Sequence, residues 1–316
     1  MSKHRSIDVH ELRPFGSNLR RPECVVATRE AVFVPDWSGG VTQIAWDGSQ
    51  QTVLPRRSHV NLRPNGIALC PDGSFLLANL GEEGGVWRLP RNGDLEPFLT
   101  EVDGVPLPPA NFVITDASGR TWISVSTRAR PRHRAWRPDH RDGFVVVVDE
   151  AGARIAAEGL HYTNEVRPDP AGSWLYVVET FAKRLSRFRI TPAGELRARE
   201  TVATLGAGCF PDGFEFDRDG AIWLTSLISN RLLRVADGDV QTILEDVNFP
   251  FVHAAEQAFA EGRLAPEHLG PIPGTTLQQL TSIAFAGPDG RTVMLGSLHA
   301  TCLYRFRADV PGAAAV

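Results

Sequence analysis

The chain has 316 residues, 22% charged and 42% hydrophobic, with apolar material for a core of full size. Its 33 Lys and Arg stand against 37 Asp and Glu, a formal charge of -4 that offers no basic field for a phosphate backbone. No apolar run approaches the ~18–20 residues of a membrane-spanning helix, and residues 1–8 hold no apolar secretory segment, so we expect a cytoplasmic protein that binds neither nucleic acid nor membrane.

Along the chain, 29 Gly and 23 Pro punctuate short apolar runs, while helical periodicity is nearly absent, which predicts many strands joined by turns. A repeat organises them. Segments starting at Asn65, Asn111, Asn164, Asp212 and Ser282 each carry a glycine eight positions on, and a shorter copy starts at Glu23. Each unit reads as a strand, a turn closed by that glycine, and a second strand, predicted at 75–78, 121–125, 174–178, 221–225 and 292–295. Third strands follow at 41–46, 85–89, 143–149, 184–190, 231–235 and 302–307, and a fourth in most copies, as at 51–54, 95–99 and 240–244. Six such units predict an all-β fold, a single six-bladed β-propeller over residues 1–316, with residues 8–12 supplying the last outer strand and closing the ring.

Two insertions break the period. Residues 128–142 carry six arginines and lie between the second and third strands of blade three, where they could overhang a mouth of the channel and attract an anion. Residues 249–279 include a predicted helix at 254–260. Trp122 and Trp223 occupy equivalent second-strand positions, which marks them as core. The four cysteines are widely spaced, with no Cys-x-x-Cys, and read as free thiols.

Because strands alternate direction within a blade, the six first residues, Glu23, Asn65, Asn111, Asn164, Asp212 and Ser282, should converge on one mouth of the channel. Two carboxylates and several amide carbonyls meeting there make an oxygen-rich pocket suited to a hard divalent cation. The residues ending the second strands, Asp36, Asn79, Ser126, Glu179, Ser226 and Ser297, with His299 close by, form an outer ring of candidate substrate contacts; His161 precedes Asn164 by three residues.

Pro22-Glu23, Thr163-Asn164, the run Pro211 to Asp217 and above all the run Thr281 to Asp289 resemble the SMP-30/gluconolactonase/luciferin-regenerating-enzyme family. The resemblance implies a six-bladed propeller with a metal-dependent lactonase activity. It implies that Glu23, Asn164 and Asp212 are the metal ligands, with Ca²⁺ first and Zn²⁺, Mn²⁺ or Fe²⁺ as alternatives, that Asn111 reaches metal or substrate, and that Asp212 is the general base. Sugar lactonases of this family place an Arg two residues before the third-blade Asn, where this chain has Pro109, and Phe112 and Glu165 also depart from their pattern. The expected substrate is therefore a small molecule other than a simple sugar lactone, a larger or aromatic lactone or another ester, with Phe112, Glu165, Glu179 and His299 among its contacts. No nucleophile elbow, zinc-protease helix, phosphate loop or dinucleotide fingerprint offers a different chemistry. Two alternatives stay open: a non-hydrolytic lyase, isomerase or cyclase on the same metal, and a ligand-binding propeller without catalysis. The sequence assigns no oligomeric state.

Overall fold

The glycine that closes each full repeat has a left-handed backbone, with φ of +81° at Gly73, +80° at Gly119, +66° at Gly172, +83° at Gly220 and +66° at Gly290. Each therefore turns one strand tightly back on the next, and the repeat becomes a series of hairpins. The computed structural model describes residues 4–313; residues 1–3 and 314–316, part of the single-domain expectation, lie outside the described residues. Six four-stranded antiparallel sheets make a six-bladed β-propeller. Their inner strands are Val26–Ala27, Pro64–Leu69, Phe112–Thr115, Thr163–Pro168, Pro211–Phe216 and Leu280–Ala286. All six blades have a fourth strand, and the second and third strands fall within two residues of their predicted bounds.

The ring is closed by an N-terminal strand, but not by residues 8–12. Arg13–Phe15 pairs antiparallel with Leu303–Arg307 and forms the outer edge of blade six. Val9–Glu11 instead forms a short 3₁₀ turn, because the Asp8 side chain accepts the His10 N–H at 2.8 Å while Glu11 accepts the Asp8 N–H at 3.0 Å. This reciprocal capping holds the segment out of extended geometry.

The core lies between the blades. Trp122 and Trp223 are buried as expected, and each indole N–H donates at 2.9 Å to an aspartate of its own hairpin turn, Asp116 and Asp217 respectively. The second insertion forms the helix Phe249–Ala260, five residues longer at its start than the sequence suggested. Asn248 caps it by accepting the Phe251 N–H at 3.0 Å, and Pro250 fits the first turn, where no N–H partner is needed. Val252, Ala255, Ala258 and Phe259 are its buried residues. No helix among the described residues is long and apolar enough to cross a membrane.

Asp217 is fully buried and also accepts from Arg234 Nε at 2.8 Å and from the Asp219 and Ala221 N–H groups. Removing a partner from a buried ion pair leaves the other charge uncompensated, so Asp217→Ala should cost about 3–5 kcal/mol in chemical denaturation. Asp116→Ala, which orphans the Trp122 indole without exposing a buried guanidinium, should cost about 1–3 kcal/mol. Equal losses at the two sites would show that the ion pair adds nothing to the turn.

Candidate functional site

Four of the inner strands carry a register irregularity at their first residues: between Pro64 and Ile67, Thr163 and Val166, Pro211 and Phe214, and Leu280 and Ser282. An extra residue in one strand of a pair re-aims the side chains around it. Asn65, Asn164 and Asp212 each occupy the first place in such a bulge, and each therefore leaves the ordinary alternation of its sheet. By the same register the blade-six counterpart is Thr281, not Ser282, because Leu280 pairs with Ser297 as Pro211 does with Ser226. The Thr281 hydroxyl donates to the Glu23 carbonyl oxygen at 2.8 Å, and Asn65 Nδ2 donates to the Asn111 carbonyl oxygen at 3.0 Å. Adjacent inner strands approach so closely that a Cβ on Gly213 would strike the Thr281 carbonyl oxygen and the Glu165 carboxylate.

Glu23, Asn111, Asn164 and Asp212 all line one cavity of about 230 Å³. These four side chains come from blades one, three, four and five, and each is at most 7% exposed. Asn65, Thr281 and Ser282 support the ring behind it and are not among the lining residues. Over the cavity the two insertions meet. Ala135 and Trp136 of the first pack in one apolar cluster with Val252, Ala255 and Phe259 of the helix and with Leu264. Trp136 and Arg132 from the first insertion and Pro266 and Leu269 from the second complete the walls, with Tyr162, Leu227 and Leu298. Lys183 of blade four reaches the helix through Glu256, which also accepts the Gly208 N–H at 2.6 Å.

Burial pushes the Asp212 carboxyl well above its ordinary range, and the Glu23 and Glu165 charges push it further, while Arg21 and Arg132 oppose them. No hydrogen bond from a described residue reaches the Asp212 carboxylate. Asn164 donates through Nδ2 to Thr180 Oγ1 at 3.2 Å, and among the described residues no hydrogen bond reaches its amide oxygen. Among the described residues no three His, Cys, Asp or Glu side chains are gathered closely enough to hold a metal by themselves. The donors present are two carboxylates and two amide oxygens, without sulfur or imidazole. Such a set fits a hard divalent cation, which would also relieve the repulsion between Glu23 and Asp212.

The remaining sequence candidates lie elsewhere. Phe112 faces a second cavity, about 340 Å³, at the other end of the inner strands, beside Arg167 and Glu215. Glu165 is buried next to this cavity. Burial raises its pKa to about 7 against the opposing charge of Arg167, whose Nη2 is 3.5 Å away. His299 Nε2 donates to the Leu269 carbonyl oxygen at 2.6 Å, and burial lowers its pKa. The outer ring is buried rather than solvated: Asp36, Asn79, Ser126, Glu179, Ser226 and Ser297 are each at most 6% exposed. Arg21, Arg132, Trp136 and Tyr162 are cavity residues that no single motif marks. Arg21 and Tyr162 share one trace, since each precedes an anchor by two residues and each has φ of +58°.

The family profile described as "SMP-30/Gluconolactonase/LRE-like region" matches residues 21–265. No curated protein matches the chain. Among solved structures, a gluconolactonase from Xanthomonas campestris is 17% identical, with 94% of this chain and 88% of that one covered and a TM-score of 0.67. A luciferin-regenerating enzyme is 12% identical over 94% of both chains at a TM-score of 0.69. A calcium-binding regucalcin from Agrobacterium tumefaciens is 16% identical, covering 94% of this chain and 96% of that one, at 0.63. At these identities the likeness establishes the fold.

Glu179 is fully buried outside the cavity lining, and its oxygens are taken by Arg184, Ser186, Arg199 and the His161 N–H. Burial alone raises its pKa, but these donors outweigh it and hold the carboxyl at about 2. A folded pKa below the ordinary 4.5 adds stability that is complete above pH ~4.5 and is lost as pH falls toward 2, roughly 3 kcal/mol in all. Glu179→Gln should therefore unfold well below wild type at pH 7, and the difference should close between pH 4.5 and 2. A difference in melting temperature independent of pH would contradict the ion-pair origin.

Proposed function

The chain belongs to the SMP-30/gluconolactonase/LRE-like family, and from that premise we propose that it is a metal-dependent hydrolase opening a small-molecule lactone or related ester in the capped mouth of the propeller. The observation that carries this reading is the meeting of Glu23 and Asp212, buried and mutually repelling, with the amide oxygens of Asn111 and Asn164 in one cavity. Glu23, Asn164 and Asp212 would hold one divalent cation. Ca²⁺ is the first ion to test, since a structurally similar regucalcin is described as calcium-binding; Zn²⁺, Mn²⁺ and Fe²⁺ follow. When bound, such an ion polarises an ester carbonyl and offsets the charge that develops on its oxygen.

Asp212 acts as the base. It takes a proton from water as the water oxygen bonds to the acyl carbon, and it returns that proton to the ring oxygen as the acyl C–O bond breaks, which yields the hydroxy acid. Arg21 and Arg132 favour its ionised form. Asn111 orients the substrate from blade three, and Trp136, Leu269 and Leu298 limit the access of bulk water. Apolar walls of this extent suit a lactone other than a plain polyol, in keeping with the absence of an arginine at position 109. The non-hydrolytic and purely ligand-binding alternatives are not favoured by these relatives.

Two measurements test the proposal. Cation binding to the folded state adds about 2.7 kcal/mol at a hundredfold excess over Kd, so EDTA should lower the melting temperature by several degrees and Ca²⁺ or another ion should restore it. In a lactone and ester panel, Asp212→Asn should retain bound metal while kcat falls ~10²–10⁴-fold, whereas Glu23→Gln should lose metal first and recover partly with excess ion. Normal turnover in metal-loaded Asp212→Asn would move the base elsewhere, and an unchanged melting temperature with EDTA would remove the cation.

A further inference from the structure

Among the arginines of its insertion, Arg132 is the one in the cavity wall. Arg128 is engaged by Asp142 and Glu158, Arg130 donates to the Glu82 carbonyl oxygen, and Arg137 pairs with Asp139. Arg132 lines the cavity, and among the described residues it has no carboxylate partner. Its Nη2 donates to Ser126 Oγ at 3.0 Å, while its Nε is buried and has no hydrogen-bond partner. The neighbouring Trp136 is in the same state, with a buried indole N–H that meets no acceptor. Buried N–H groups are almost always paired, so two adjacent orphans in one cavity wall point to an acceptor that the protein itself does not supply.

The surroundings define that acceptor further. Arg21, the other cavity arginine, donates to Glu23 at 2.8 Å and stacks on Trp37, so its charge is already paired within the site. Glu23 and Asp212 balance Arg21 and Arg132 in formal charge, and the carboxylates therefore do not bar an anion from the site. Tyr162, Leu227, Leu269 and Leu298 supply apolar wall, and the Arg132 guanidinium lies 5.5 Å from the Tyr162 ring centroid. The volume of about 230 Å³ is below the ~300 Å³ at which pockets for drug-sized ligands begin.

We propose that the ligand of this cavity is a small amphipathic anion, a carboxylate-bearing lactone or ester whose carboxylate is held by Arg132 and the Trp136 N–H and whose apolar or aromatic body lies against Tyr162 and the leucines. The clamp rests on the hydrolase reading only for the identity of the scissile bond. An arginine fork matches a carboxylate with two parallel hydrogen bonds, and the 3₁₀ turn Arg132–Ala135 that carries it is anchored by Ala135, which is 1% exposed in the cluster beneath the helix.

The test uses matched pairs with the metal-loaded protein. Binding is measured on two γ-lactams that resist ring opening, one with a para-carboxyphenyl and one with a para-carbamoylphenyl substituent, and hydrolysis on the corresponding γ-lactones. The carboxylate lactam should bind about tenfold or more tightly, with a preference that shrinks as salt is raised. Arg132→Gln should bring the ratio close to one. Arg132→Lys, which keeps the charge but loses the fork, should leave a reduced preference and carries the same test if the Gln variant does not fold. Equal affinities in wild type, or a ratio unchanged in a folded Arg132→Gln protein, overturn the clamp. Preference among the lactams without hydrolysis of either lactone upholds the clamp and defeats the hydrolase reading; hydrolysis of both lactones with equal lactam affinities does the reverse.

Discussion

Glu23 and Asp212 repel each other across a cavity in which both are almost wholly buried, and that repulsion is held in place by the geometry of the ring. Asp212 is fixed at the start of an inner strand and Glu23 three residues before another, and the strands cannot separate without breaking the blades whose apolar residues pack against one another. Backbone carbonyls tie the ring at this level, as when Thr281 donates to the Glu23 carbonyl oxygen and Asn65 to that of Asn111. A buried carboxylate with no donor is costly unless a cation or a proton meets it. Glu23 already meets Arg21, so the charge left without a donor is that of Asp212, and Asn111 and Asn164 line the same cavity.

The insertions give this centre its surroundings. The propeller alone would leave the mouth open to water, but residues 128–142 and the segment from the helix to Leu269 pack together above it. They bring apolar walls from Trp136 and Leu269 and a guanidinium from Arg132, while the blade-three position that carries an arginine in sugar lactonases holds Pro109. Positive charge therefore reaches the cavity from the cap through Arg132 as well as from the ring through Arg21. The blades would then set the hydrolytic chemistry, and the cap would set which molecule undergoes it.

Much of this was legible in the sequence because propellers repeat. The glycine eight residues after five of the six anchors gave the hairpins, and the common register gave the convergence of Glu23, Asn111, Asn164 and Asp212. The bulges were invisible, since one extra residue in a strand leaves no mark on composition, and the shift of the blade-six anchor from Ser282 to Thr281 follows from that. Phe112 follows Asn111 directly in the chain yet faces the second cavity, which is lined by the whole strand from Phe112 to Thr115 that begins after Asn111. Closure by Arg13–Phe15 rather than residues 8–12 turned on a local capping box that competes with strand formation. The cap was out of reach for another reason: contacts between two insertions separated by two blades are tertiary, and no local pattern encodes them.

The central claim is that the inner-strand anchors form one cation site in the propeller mouth. Crystals grown without added metal, then soaked in Mn²⁺ and measured for anomalous scattering, test it most directly. The account predicts a single strong peak bounded by carboxylate oxygens of Glu23 and Asp212 and the amide oxygen of Asn164, at about 2.0–2.6 Å as expected for divalent ions on oxygen. No peak in the mouth at saturating Mn²⁺, or one held by residues outside this set, would contradict it.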